Sequence, residues 1–377
     1  MRKRAIIFHP AIAPYRIDFF NSLNKEFEAI FYFEFRDALE QSFIQDKLKA
    51  KLLFTPRYLA SGLWGIKNLR LQVISILWKE KPDVVFCSEF NILGFLVLFY
   101  KFLFNRQLHV FTICDDSRNI ACTYSKAKKV IRAILLKAYT GIILTNQDVL
   151  DWYQRHFQPS DKFLFFPIIQ HDEIFREALH RSLPKSIKVT KLLELTGKRI
   201  VFFVGRLINI KNLPFLMKGF AILVPKFPDA VLVLVGEGEQ EDQLRELTKE
   251  LVIEKKVLFV GKKQGDDLLA YYNMGQIFVL PSFYERFGAV VNEALLAGCY
   301  TLCSNVAGAS CLVKFPNGDI FNPMEQMDFV KKLDDALSMN APLGQVAVKP
   351  NRMWKSYDQY ISDFFDMFHR SLGNNYD

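Results

Sequence analysis

Short apolar runs recur along the whole chain, each followed by a stretch with helical spacing, and this alternation limits the fold more than any other feature. In the first half the runs are Ala5–Phe8, Ala29–Phe35, Val84–Cys87, Leu108–Ile113 and Gly141–Thr145, with helices expected at 16–25, near 68–80, 92–104 and 126–138. In the second half they are Arg199–Val204, Ala230–Val235, Val257–Phe259, Ile277–Leu280 and Leu302–Cys303. Helices are expected there at 213–224, 239–252, 266–273 and 324–338. Brief β-branched and aromatic runs separated by helices predict βαβ units and mainly parallel sheets. A chain of 377 residues exceeds one ordinary core, so two doubly wound α/β domains with a cleft between them are expected. The expected boundaries are 1–170, a polar, basic linker over 171–198, a second domain over 199–345, and a segment 346–377. That last segment carries an aromatic helical stripe, Tyr357 to Phe368, expected to bury itself against the first domain.

Residues 276–298 hold the most informative local pattern. Strand Ile277–Leu280 is stopped by Pro281-Ser282, a loop carries Glu285, and Gly288 turns the backbone into a helix that bears Glu293. In an open α/β sheet, ligands bind at the carboxyl ends of strands. The amides of Gly288, Ala289, Val290 and Val291 are expected to face an anion, and each carboxylate a diol. That combination suits a nucleotide sugar. A surface loop followed by a helix with one solvated glutamate is the plainer reading of this stretch taken alone.

A second strand end, Val204-Gly205-Arg206, is followed by Lys211 and then by Asn212-Leu213-Pro214, read as an N-cap and first helical turn. Arg206 and Lys211 are placed to neutralise a diphosphate, while Gly205 permits close backbone approach. Gly236-Glu237-Gly238 lacks the third glycine of a dinucleotide fingerprint and is crowded by acidic residues, so it is read as a turn.

Charge is uneven. Residues 1–170 hold 24 Lys and Arg against 15 Asp and Glu, whereas residues 201–377 hold 18 against 21. A basic first half points to an anionic partner, such as a membrane surface, a lipid-linked phosphate or nucleic acid, or else to a solvated basic face. The six cysteines lack metal-ligand spacing, so no metal is expected, and they are read as reduced, buried thiols of a cytoplasmic protein. The apolar core Ala5–Phe8 is too short for a signal peptide and is read as the first strand. Residues 92–104 fall short of a bilayer span and are expected to form a buried helix.

Together V-G-R-x-x-x-x-K-N at 204–212, V-G-E-G at 235–238, F-V-G at 259–261 and P-S-x-x-E-x-F-G-x-x-x-x-E-A at 281–294 resemble family 4 of the retaining glycosyltransferases. Residues 14–24 look like the acceptor-side turn and helix of many members. The resemblance implies the GT-B fold, two Rossmann-like domains facing a central cleft, with the donor held mainly by the second. It also implies that Arg206 and Lys211 contact the donor diphosphate, Glu285 the sugar hydroxyls and Glu293 the ribose. Phe287, Gly288 and Ala289 would supply backbone over the sugar and phosphates, and Gly261-Lys262 a turn beside the base. One departure stands out: where many members carry a histidine after the strand Leu108–Ile113, this chain reads Cys114-Asp115-Asp116. Asp115 or Asp116 is a candidate for a positioning or base role there, and a capped loop is the alternative. His9 and His109 are the other histidines nearby, and His109 is read as a core or edge residue.

The function expected on these grounds is metal-free retaining transfer of a sugar from a nucleoside diphosphate, of UDP or GDP type, to a hydroxyl acceptor. No cofactor is expected, and the acceptor is expected to be a glycan or lipid-linked glycan of surface polysaccharide or glycoconjugate synthesis. The protein is expected in the cytoplasm, with peripheral membrane contact through its basic half and no nucleic-acid partner. The competing reading is a non-catalytic protein of the same fold that binds an anionic surface or nucleic acid.

Overall fold

The computed structural model describes residues 2–36, 45–62, 69–157 and 160–373. It divides into two compact units, residues 1–170 with 357–377, and residues 171–356.

The first unit is built on a parallel seven-stranded sheet: β1 (Arg4–His9), β2 (Glu28–Phe33), β3 (Arg57–Tyr58), β4 (Val84–Ser88), β5 (His109–Cys114), β6 (Gly141–Leu144) and β7 (Phe163–Phe165). Its order is β3-β2-β1-β4-β5-β6-β7, so the chain reverses its direction of travel between β1 and β4. Strands buried on both faces read as continuous apolar runs, which is why β4 is Val-Val-Phe-Cys-Ser with every residue buried. Right-handed crossovers carry successive helices to one side of the sheet on one arm and to the other side on the opposite arm. The helices Gln72–Glu80 and Ile92–Phe104 share a core with Ile6, Val85 and Val110 on one side. On the other side Phe86 and Phe111 meet Phe368 of the terminal helix Tyr357–Ser371. Phe364 of that helix packs edge-on against Phe19 and Phe166, and Tyr357 Oη lies 2.9 Å from Ser22 Oγ.

The second unit has a parallel six-stranded sheet: β8 (Arg199–Val204), β9 (Ala230–Val235), β10 (Val257–Phe259), β11 (Ile277–Leu280), β12 (Tyr300–Ser304) and β13 (Gly318–Phe321). The order is β10-β9-β8-β11-β12-β13, with the reversal between β8 and β11. The segment 346–356 belongs to this unit and is laced onto it: Lys349 Nζ donates to the carbonyls of Tyr272 (3.1 Å) and Asn273 (2.7 Å). The aromatic helix that follows begins at Tyr357 and belongs to the first unit.

Several expectations are corrected. Residues 171–198 are not a linker; Asp172–Leu192 is a helix of the second unit. Its buried positions are Phe175, Leu179, Ser182, Ser186 and Thr190, and Asn273 Nδ2 donates to Leu179 O, Ser182 Oγ and Ser186 Oγ, each at 3.0 Å. A seam closed by hydroxyls and an amide leaves no apolar stripe to read. Helix Ile92–Phe104 is not wholly buried, since Ile92, Phe95, Phe99, Phe102, Leu103 and Phe104 are exposed. Cys122 and Cys311 are exposed, whereas the other four thiols are buried. The helix expected near 68–80 starts at Gln72, and residue 68 lies outside the described residues. Among the described residues no helix is long and apolar enough to cross a membrane.

Candidate active site

In the second unit the chain reversal sets the loop after β8 beside the loop after β11. A crevice between loops that leave neighbouring strands in opposite directions is where open α/β sheets bind ligands. The two loops are tied by backbone, Phe283 N–H donating to Ile210 O at 3.2 Å, and by side chains, Lys211 Nζ forming an ion pair with Glu285 Oε2. Both partners are largely buried, with side-chain exposures of 14% and 16%. Ser282 Oγ lies 3.5 Å from the same carboxylate oxygen. A lysine ammonium has three donors and a carboxylate about four acceptor sites, so this pair retains capacity for a polar ligand on both sides.

The glycines around it have steric causes. At Gly236 a Cβ would stand 1.8 Å from Gly205 O, and at Gly238 one would stand 2.3 Å from Leu207 O. The loop after β9 therefore lies directly on the backbone of 205–207, fixed by Leu207 N–H to Glu237 O at 2.9 Å. The Gly-Glu-Gly turn supports the Arg206 loop from beneath. Gly261, at φ +71°, accepts from Gly236 N–H at 3.1 Å and continues the layer, while the exposed Lys262 lies 3.6 Å from Glu237. Gly288 has φ +94°, a conformation that favours glycine, and a Cβ there would press on the Leu280 side chain at 2.7 Å.

Glu293 stands on the short helix Val290–Leu296 and accepts a 2.8 Å hydrogen bond from Tyr272 Oη. Burial, then the neighbouring carboxylate, pushes the Tyr272 hydroxyl well above its ordinary pKa, so it stays a donor. Arg206 is exposed on the loop after β8, Phe287 is buried, and its carbonyl accepts from Ala309 N–H at 2.8 Å. Two details differ from expectation. Val291 N–H donates to Gly288 O at 3.0 Å, which withdraws it from the anion-facing amides and leaves that reading to residues 288–290. Asn212 does not cap with its side chain: it sits at φ 54° and its Nδ2 donates to Pro323 O at 3.2 Å.

The reversal in the first unit gathers a second polar cluster where β1, β4 and β5 end. Arg16, only 1% exposed, forms an ion pair with Asp115, whose N–H donates to Glu89 Oε1 at 3.3 Å. Glu89 is held in the left-handed region at φ 61°, a conformation that costs a non-glycine residue roughly 1 kcal/mol or more and marks sites the surrounding structure over-determines. His9 closes the cluster, its Nδ1 lying 2.9 Å from Ala11 O. Desolvation and then the Arg16 guanidinium hold its pKa down to about 4, so at neutral pH the ring is uncharged. His109 is the first, half-buried residue of β5.

The two aspartates part company here. Asp115 is 27% exposed at its side chain, whereas Asp116 is buried and accepts from Tyr124 Oη, from Arg132 Nη2 at 3.0 Å and from Cys114 Sγ at 3.3 Å. Asp116 is therefore corrected from candidate base to a member of an internal network, because its carboxylate is enclosed by three donors. Glu89, Cys114 and Asp116 do present ligand atoms within 4.8 Å of one another. Burial pushes the Cys114 thiol well above its ordinary pKa, and the Arg132 guanidinium already supplies the positive charge there. Sequence reading missed Glu89 and the pairing of Arg16. Asp115 carries no spacing signal toward either, since the contacts span 26 and 99 residues.

The sequence model of the family described as Glycosyl transferases group 1 matches residues 185–357, a stretch that contains both loops of the second unit and both glutamates. The chain is similar to an uncharacterized glycosyltransferase of Haemophilus influenzae, at 36% identity over 162 residues, which is 42% of this chain and 43% of the relative. The matches span less than half the length of the first curated relatives. The fold is shared more widely. A glycosyltransferase from Rickettsia africae superimposes over 100% of both chains with a TM-score of 0.75 at 14% identity. Anabaena HepE, solved in complex with UDP, covers 89% of this chain and 90% of its own with a TM-score of 0.69 at 15% identity. These neighbours make the two-unit α/β architecture a GT-B fold.

Proposed function

We propose that this protein transfers a sugar from a nucleoside-diphosphate donor to a hydroxyl acceptor, with the donor held by the second unit. The observation that carries the reading is the Lys211–Glu285 pair, which joins the two loops at the sheet's reversal and sets a cation beside a carboxylate. A sugar diphosphate needs both: a cation for the phosphates and an acceptor for the sugar hydroxyls. As the glycosidic bond breaks, negative charge builds on the departing diphosphate. Lys211 and Arg206 are the residues assigned to stabilise it, the kind of electrostatic effect that is usually the largest single contribution to catalysis. Glu293, oriented by Tyr272, is assigned to the ribose diol. The UDP in the HepE complex supports this donor class.

Departure and attack on the same face of the sugar, with retention, is the course we assign. On the acceptor side Asp115, held by Arg16 and Glu89, is assigned to position the attacking hydroxyl. The acceptor class is a glycan or lipid-linked glycan of surface polysaccharide or glycoconjugate synthesis, supported by the basic, Phe-rich first half. The test is turnover of nucleoside-diphosphate sugars by wild type and Glu285→Gln. Loss of at least about 100-fold in kcat with an unchanged fold is expected, in line with removal of a group that acts in the transition state. Equal turnover would remove the assignment.

A further inference from the structure

Two helices on one side of the first sheet turn unusual faces to solvent. On Ile92–Phe104 the buried positions include Leu93, Val97 and Tyr100, and the opposite stripe is Phe95, Phe99, Phe102 and Leu103. Phe95 is 59% exposed and Leu103 60%. On Lys126–Ala138 the inward residues are Arg132 and Leu136, and the outward ones include Val130, Ile131 and Ile134, the last 63% exposed. Leu135 and Ala138 of this second helix pack against the cluster that holds Val97 and Leu98 of the first. Lys101 Nζ bridges the two by donating to Ala138 O at 3.3 Å. Trp78 of the Gln72–Glu80 helix extends the patch, edge-on to Phe104 at 5.3 Å between centroids. Single exposed apolar residues are ordinary, but a contiguous set on adjacent helices marks an interaction surface.

The charge on these helices chooses the partner. Neither carries an aspartate or glutamate, and Lys126, Lys128 and Lys137 flank the apolar stripe on exposed positions. A second copy of the same face would set lysines against lysines with no carboxylate on either helix to receive them. A neutral apolar partner would leave the lysines unused. A bilayer with anionic headgroups meets both: rings enter the acyl boundary while the lysine heads stay among the phosphates. Thirteen residues are too few to cross the hydrocarbon, so the helix lies along the interface.

We propose that the outward faces of the Ile92–Phe104 and Lys126–Ala138 helices form a docking surface for an anionic lipid bilayer. This goes beyond the transfer reading and stands whether or not that reading holds. The test is co-sedimentation of the full chain with phosphatidylcholine vesicles, with and without about one-third phosphatidylglycerol. Wild type is expected to bind the anionic vesicles and to leave them as salt is raised. At about 1 kcal/mol per basic residue near the surface, a variant carrying Lys126→Glu, Lys128→Glu and Lys137→Glu should lose at least tenfold in vesicle affinity. A variant carrying Phe95→Ser, Phe99→Ser and Leu103→Ser should lose at least as much, and its unaltered thermal transition shows that the fold survives. Binding of wild type to neither vesicle overturns the proposal, and so does equal binding to both. A wild-type dimer dispersed by the Phe variant without vesicle binding would assign the face to a second copy instead. Nucleoside-diphosphate binding, read separately by thermal shift, should be the same in all three proteins.

Discussion

Tyr272, with a side chain shut away from solvent, holds Glu293 by a 2.8 Å hydrogen bond from Oη to Oε2. The tyrosine stands on the helix Asp266–Met274 and the glutamate on Val290–Leu296, so one bond fixes this carboxylate from a neighbouring helix. Tyr272→Phe keeps the ring, which packs edge-on to Phe202 at 5.7 Å, and removes only the donor. With Glu293 on the ribose diol, the loss of one net hydrogen bond of ~1 kcal/mol should raise KM for the donor roughly fivefold and leave kcat nearly unchanged. Steady-state kinetics decide. A fall in kcat with constant KM would place Glu293 at the reacting centre instead.

Gly236→Ala should be among the most damaging single substitutions in the chain. Its Cβ would sit 1.8 Å from the carbonyl oxygen of Gly205, and backbone cannot yield as a flexible side chain can. A loss of ~3 kcal/mol or more is expected, together with loss of donor binding, because the displaced segment carries Arg206. Gly261→Ala meets no atom within 4 Å and bears only the strain of φ +71°. It should cost ~1–2 kcal/mol. Thermal melts of the two variants test the difference.

His9 makes the first unit sensitive to acid. With a folded pKa of about 4 against an ordinary value of 6.5, the unfolded chain binds the extra proton between those values. Stability from this group is complete above pH 6.5 and is lost as pH falls toward 4, by at most ~3 kcal/mol. His9→Gln removes that titration, so its denaturant midpoint should fall less steeply than the wild type's across the same window. Parallel slopes would refute the assignment. The comparison is of slopes because the substitution also removes the edge contact with Phe20, 5.0 Å between centroids.

The candidate site of the second unit was largely legible in the chain because its residues are local in sequence. Strand end, glycine and charge fall within a few residues at 204–211 and again at 280–293, so apolar runs and spacing alone place Lys211 and Glu285 after two strand ends, where the fold pairs them. The polar cluster of the first unit was not. Arg16, Glu89 and Asp115 come from three separate strand ends, and no local pattern links them. Asp115 and Asp116, adjacent and chemically identical, are told apart only by Tyr124 and Arg132, which enclose one of them. The helix Asp172–Leu192 passed for a linker because serines and a threonine occupy much of its buried face. The exposed side of Ile92–Phe104 was hidden by the opposite problem: a helix apolar all round does not disclose which side faces water.

Lys211, paired with Glu285 at the reversal of the second sheet, is the residue proposed to receive a diphosphate. Calorimetric titration of wild type and Lys211→Ala with UDP, GDP and the matching nucleosides tests it most directly. One of the diphosphates is expected to bind wild type, and Lys211→Ala should weaken it about 10- to 100-fold, as befits a lost charge-assisted hydrogen bond, while nucleoside affinity holds. No binding of any nucleoside diphosphate to wild type, or an equal loss for nucleoside and diphosphate, would contradict it.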